Sequence, residues 1–255
     1  MKTYAVGSGK ARIAIVGSIH GNELIGSKVI MRLARNPPEG VRLRLIVANE
    51  AAISKNKRFI DIDGNRCFPG DIEGNTEQRM AYKLLKYTTD CDYLIDIHST
   101  YAKQPDVIIV TRRSARILTR YAPIKKVVVM RREIANGGSL IDYARRGISL
   151  EFNRNRSTAY VEGIVRSTIA NLVSRRRTIS KEVYYSARFI PRLGRPSNIK
   201  NFSLVKRGEI IQKVNDKKIR SRTSFYPLFF GEKGYAGLCM MLKKAPTDQS
   251  ARRVQ

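Results

Sequence analysis

Through residue 173 the chain alternates apolar runs of strand length with segments of helical period, and few architectures tolerate that order. The runs are Ala11 to Val16, Leu43 to Ala48, Asp92 to Ile97, Asp106 to Val110, Lys126 to Met130 and Gly147 to Phe152. Between and after them, Glu23 to Leu33, Thr76 to Tyr87 and Thr158 to Val173 carry apolar residues at helical spacing. This predicts an α/β fold with a mixed, mostly parallel sheet flanked by helices. Pro37-Pro38 ends the first helix, and Thr76 is the expected N-cap of the second.

From Val183 onward the helical period disappears, and short β-like runs take over at Tyr184 to Ile190, Phe202 to Val205, Ile210 to Val214, Phe225 to Phe230 and Leu238 to Leu242. The expected organisation is a principal domain over residues 1–178, a small β-rich C-terminal domain over 179–244 and a disordered tail over 245–255. A chain of 255 residues is long enough for one such α/β domain and a small appendage.

The only two histidines fall where a sheet of this kind keeps its chemistry. His20 stands in Gly17-Ser-Ile-His-Gly-Asn-Glu23 and His98 in Ile95-Asp-Ile-His-Ser-Thr100, each after an apolar run that places it near a strand end. His20 and Glu23 lie three apart on a loop entering a helix, so both side chains can converge on one ion, with Gly21 allowing the turn between them. His98 supplies a third ligand. Two imidazoles, one carboxylate and an open position form a catalytic zinc set, one ion per chain, whereas a structural site would be closed by four protein ligands. The bland alternative is two histidines used for capping or packing. Asp96 shares a side of its strand with His98 and is either the partner of the ring's second nitrogen or a buried structural carboxylate.

Residues 53–74 are polar, glycine-rich and irregular, which in a compact domain points to function. Within them Asn65 and Arg66 are adjacent polar groups suited to a substrate carboxylate, and Arg58 is placed to polarise a carbonyl and hold a developing oxyanion. Solvent exposure is the default for any arginine in so basic a chain.

Together, Gly-x-x-His-Gly-Asn-Glu, Asp-x-Asp-x-Asn-Arg-x-Phe-Pro-Gly, Asp-x-His-Ser/Thr and a later strand-borne Glu resemble the succinylglutamate desuccinylase/aspartoacylase branch of the zinc carboxypeptidases, from about Arg12 to Tyr235. The resemblance implies a zinc carboxypeptidase-like fold with His20, Glu23 and His98 as zinc ligands. It implies Asn65 and Arg66 as the grip on a substrate carboxylate, Arg58 as carbonyl polariser and Glu151 as catalytic base. A carboxylate inside the apolar run Gly147 to Phe152 asks for a reason in any case, and a buried salt bridge to an arginine is the competing one. Similarity in Tyr226 to Tyr235 makes Tyr235 a residue lining the substrate site and Glu232 a structural or gating one. The chain departs from the aspartoacylase pattern at Asn136 to Asp142, where no selecting arginine aligns, and at Gly64, where a larger apolar residue is usual.

The net charge of +28 is unevenly spread: residues 1–100 hold 15 Lys/Arg against 11 Asp/Glu, and residues 101–255 hold 34 against 10. Such a field attracts polyanions and steers acidic small molecules, or it is simply a solvated arginine-rich surface. Cys67, Cys91 and Cys239 are few and widely spaced, which fits small core residues in a reducing compartment. The apolar runs stop far short of the roughly 20 residues a membrane span needs, and the N-terminus carries no signal-peptide pattern, so a cytoplasmic protein without membrane contact is expected.

The leading expectation is a zinc-dependent amidohydrolase that removes the acyl group from an N-acyl amino acid or similar small amide bearing a carboxylate. A zinc carboxypeptidase acting on peptides keeps the same machinery. From a different class comes a basic nucleic-acid-binding protein on a retained hydrolase fold. Oligomeric state is left open.

Overall fold

Ala11 to Gly17 is unbroken in its apolar character because the strand it forms is covered on both faces. The computed structural model describes residues 1–111, 116–131, 138–232 and 237–246. In chain order these form β1 (Lys2–Val6), β2 (Ala11–Gly17), α1 (Ile25–Arg35), β3 (Val41–Val47), α2 (Glu50–Ser54) and α3 (Thr76–Thr88). Then come β4 (Tyr93–Thr100), β5 (Val107–Val110), α4 (Arg116–Thr119), β6 (Lys126–Val129), α5 (Leu140–Tyr143), β7 (Gly147–Asn153) and α6 (Thr158–Val173). The C-terminal part supplies β8 (Glu182–Pro191), β9 (Arg195–Pro196), β10 (Ile210–Val214), β11 (Lys217–Arg220), β12 (Tyr226–Leu228) and β13 (Gly237–Lys244).

Ten strands make one mixed sheet in the order β1-β3-β2-β4-β7-β5-β6-β8-β13-β12. Alternate residues of β2 face opposite cores, as a pleated strand requires. Ile13 and Ile15 pack with Val29, Leu33, Val165 and Ile169 of α1 and α6, while Ala14 and Val16 pack with Phe68, Met80 and Leu84 on the α3 side. The strand after β2 lies on one side of it and the next, β4, on the other, with both pairings parallel. That reversal opens a crevice at the carboxyl ends of β2 and β4.

The C-terminal residues divide between two sheets. β8 continues the main sheet beside β6 in parallel, and β13 and β12 extend it antiparallel. β9, β10 and β11 form a separate three-stranded antiparallel sheet over a small core that includes Ile190, Val205, Ile211 and Phe225.

Several local expectations need correction. The N-cap of α3 is Asn75, not Thr76: its side chain accepts from Gln78 N while Gln78 accepts from Asn75 N, a reciprocal capping box. Phe202 to Val205 forms no strand, only a single bridge from Val205 to Phe225. β1 and β11 went unread because neither carries an apolar run; they are edge strands whose partners supply the order. Of the tail expected to be disordered, Ala245 donates its N–H to Val183 O at 2.8 Å, and residues 247–255 lie outside the described residues.

Candidate active site

Both histidines reach the crevice as the strand pattern required. The chain leaves β2 through Ser18, whose φ of 57° turns the backbone, and the Ser18 hydroxyl donates to Glu23 O to close the loop that carries His20 and Glu23. Gly21 does not serve there as a positive-φ turn residue. A Cβ at Gly21 would lie 2.3 Å from the Ala52 carbonyl carbon, so only glycine lets this loop pass against α2.

His20, Glu23 and His98 are all buried, and one ligand atom from each lies within 4.8 Å of the others. His20 Nδ1 is 2.8 Å from Glu23 Oε1 and His98 Nδ1 is 3.0 Å from Glu23 Oε2, with ring centroids 5.1 Å apart. On the far sides, His20 Nε2 is 3.0 Å from Asp63 Oδ1 and His98 Nε2 is 2.7 Å from Asp96 Oδ2. Each imidazole thus turns Nδ1 inward and backs its other nitrogen onto a carboxylate, the outer arrangement that fixes the tautomer of a metal-ligating histidine. The donor set fits a zinc ion: two imidazoles and one carboxylate converge, and no fourth protein ligand closes the site among the described residues.

The charges are strongly coupled. Burial works against ionisation of each of the three groups. The Glu23 and Asp63 carboxylates nevertheless hold His20 above its ordinary range, and Asp96 and Glu23 hold His98 well above it. Glu23 in turn is held well below the usual carboxylate range by the two rings.

Glu151 stands on β7 directly across from His98 on β4, and Ser149 across from Asp96, so all four share one face of the sheet. Burial raises the Glu151 carboxyl to about 7. An ion pair with an arginine, the competing account of this residue, is absent among the described residues. Its surroundings are instead the walls of a cleft shared with His20, Glu23, Arg58, Asn65 and Arg66.

Arg58 is half-buried and donates from Nη1 to Glu23 Oε1 (3.0 Å) and from Nη2 to Asp63 Oδ2 (3.2 Å). It also lies 3.0 Å from His20 Nε2, a nitrogen that cannot accept from Arg58 while it donates to Asp63. Asn65 Oδ1 accepts from the Leu140 N–H at 3.4 Å, and its Nδ2 lies 3.2 Å from His98 Nε2, a nitrogen that cannot accept from it while it donates to Asp96. Arg66 is exposed at the cleft margin and donates to Asn65 O at 2.7 Å. Gly138 packs against this turn so closely that a Cβ there would lie 2.6 Å from Arg66 O. Tyr235 lies outside the described residues.

Two residues escaped the sequence reading. Asp63 was visible in the Asp-x-Asp-x-Asn-Arg motif, but nothing local said that it backs His20 and Arg58. Glu77 sits in the first turn of α3, where an acid reads as a helix-dipole group. It is fully buried and accepts from Ile60 N, Asp61 N, Ile62 N and Asn49 Nδ2, which pins the segment between Arg58 and Asn65. Glu232 comes from the C-terminal part and accepts from Thr100 Oγ1 and from the N–H groups of Tyr101 and Ala102, fastening that part over the end of β4.

Fold and site together define an α/β protein with its chemistry at the carboxyl ends of two central strands, built around a candidate metal centre. Residues 10–152 match the family model of the succinylglutamate desuccinylase/aspartoacylase catalytic domain, and the chain belongs to that family. It is 27% identical over 157 residues to a probable aspartoacylase of Parasynechococcus marenigrum (strain WH8102), covering 54% of this chain and 52% of the relative. A probable aspartoacylase of Prochlorococcus marinus (strain MIT 9301) is 25% identical over 191 residues, covering 67% of this chain and 63% of the relative. The chain thus spans about half the length of the first of these relatives. Among solved structures, murine aminoacylase 3 superposes with a TM-score of 0.78 at 18% identity, over 93% of this chain and 96% of that one. A succinylglutamate desuccinylase/aspartoacylase from Rhodobacter sphaeroides gives 0.73 at 19% identity, over 96% and 89%. These structural likenesses establish the shared fold.

Proposed function

We propose that the protein is a zinc-dependent amidohydrolase that removes the acyl group from an N-acyl amino acid or a similar small amide bearing a carboxylate. The observation that carries this reading is the convergence of His20, Glu23 and His98 on one point, with Glu151 across the strand pair from His98. Names among the relatives, aspartoacylase and aminoacylase, support the same reaction class.

A zinc ion held by His20, Glu23 and His98 would supply Lewis acidity, acidifying water and polarising an amide carbonyl. Glu151 takes the proton of the attacking water and passes it to the leaving nitrogen, a task suited to a carboxylate raised to about 7 by burial. Arg58 donates to the oxyanion as it develops; its attachment to Glu23 and Asp63 keeps the guanidinium aimed into the site. Asn65 and Arg66 hold the substrate carboxylate at the cleft margin. Phe229 and Glu232 bring the C-terminal part into the cleft wall, which favours small amides over peptides. Turnover of N-acyl amino acids by the zinc-loaded protein, with short peptides left intact, is the expected result. Cleavage of peptides from the C-terminal end alone would replace this reading by the carboxypeptidase one.

A further inference from the structure

We infer that the outer face of the small sheet β9–β10–β11 is a nucleic-acid-binding surface that grips the phosphodiester backbone.

The inference starts from register. Lys213 in β10 lies directly opposite Arg195 of β9 on one side and Lys218 of β11 on the other. Arg220 lies two residues beyond Lys218, on the same face. The neighbouring residue Gln212 points the other way and is buried, where it accepts from Leu193 N and donates to Pro191 O, so the cationic face is the outward one. Like charges directly opposite one another destabilise a sheet. None of these four side chains takes part in an ion pair among the described residues.

Another lysine cluster on the molecule is compensated. Lys125, Lys126 and Lys244 also cluster, but around the Glu182 carboxylate. Residues 191–225 instead hold ten Lys/Arg, all exposed, against Glu209 and Asp216. An outward row of uncompensated cations is complementary to a polymer of phosphates. No exposed aromatic side chain stands among the four, so the contact reads backbone charge and not base sequence.

The test is fluorescence anisotropy of labelled single-stranded RNA, single-stranded DNA and duplex DNA against the full chain, with salt titrated. Each phosphate contact contributes roughly 0.7 to 0.9 to the slope of log affinity against log salt. Replacing Arg195, Lys213, Lys218 and Arg220 together by Gln should flatten that slope by about three and weaken binding at least tenfold at low salt, of order 0.05 M. Because Arg220 also donates to Gly208 O, the triple variant that keeps it serves as a second test and should flatten the slope by about two. Arg175→Gln with Arg176→Gln and Arg177→Gln removes three exposed cations elsewhere and should leave the slope nearly unchanged. Comparison of the three probes assigns the binding to RNA or DNA. Equal flattening by both sets of substitutions would overturn the proposal, as would wild-type protein that binds anionic phospholipid vesicles but no oligonucleotide.

Discussion

Glu151 lies directly opposite His98 across the parallel pair β7 and β4, although the two are separated by 53 residues of chain. Paired residues of adjacent strands project from the same face, so the sheet itself brings the Glu151 carboxyl alongside the His98 imidazole. The hydrogen-bonded register of two central strands sets their spacing; no loop is involved. A site built on such elements is held more rigidly than one carried by loops.

Glu151→Gln preserves shape and removes the proton acceptor. Turnover of the best N-acyl substrate should fall by a hundred- to ten-thousand-fold, roughly the contribution of general base catalysis, while bound metal stays at wild-type level. Steady-state kinetics with elemental analysis on the same preparation decides it, and near-normal turnover would refute the role.

Zinc content of about one ion per chain is expected in the purified protein, given its three convergent ligands. His20→Ala and His98→Ala should each lose it. Wild-type protein that is metal-free and cannot be reconstituted with zinc would sink the hydrolase reading.

Asp96 Oδ2 lies 2.7 Å from His98 Nε2, so under the proposed function it would act on a bound metal through that ring. Asp96→Asn should therefore keep the fold and weaken zinc affinity by about 10- to 100-fold, as measured by competition with a chromophoric chelator. Unchanged affinity would make Asp96 a structural carboxylate.

Glu77→Ala strips the acceptor from three consecutive N–H groups and from Asn49 at a buried position. Hydrogen bonds to a charged group contribute roughly 1.5 to 3 kcal/mol each and do not add fully, so a loss of about 3 kcal/mol in urea unfolding is expected. The segment between Arg58 and Asn65 should loosen, and kcat/KM should fall even in the folded fraction. A stability change below about 1 kcal/mol would contradict this account.

The Glu182 carboxyl is held below the usual range, first by hydrogen bonds from Lys125 and Lys126 and then, against burial, by Tyr184. A depressed carboxyl contributes stability that is complete above its unfolded pKa of about 4.3 and lost as pH falls below it. Glu182→Gln should therefore melt at lower temperature than wild type at pH 7, and the gap should begin to narrow as pH is lowered through about 4 toward 3. A gap independent of pH would show that the lysines contribute through packing alone.

The sequence by itself determined where the two histidines and Glu23 lie. Two histidines, each after a buried strand, and Glu23 three residues from His20 are brought to one crevice, because strand ends and short spacings are local properties. The main strands and the helices α1, α3 and α6 were legible for the same reason: a run buried on both faces, or an apolar stripe at helical period, is written in consecutive residues. Edge strands such as β1 were not, since their order comes from a partner 40 or so residues away. The tertiary structure alone decided that Asp63 backs His20, that Glu77 holds the Arg58 segment and that β8, β13 and β12 extend the main sheet. It also decided that three cations stand in one row across β9, β10 and β11. Each of these depends on which distant segments meet. Sheet register and the capture of free N–H groups by a buried carboxylate are settled when the whole chain packs, and no local spacing records them.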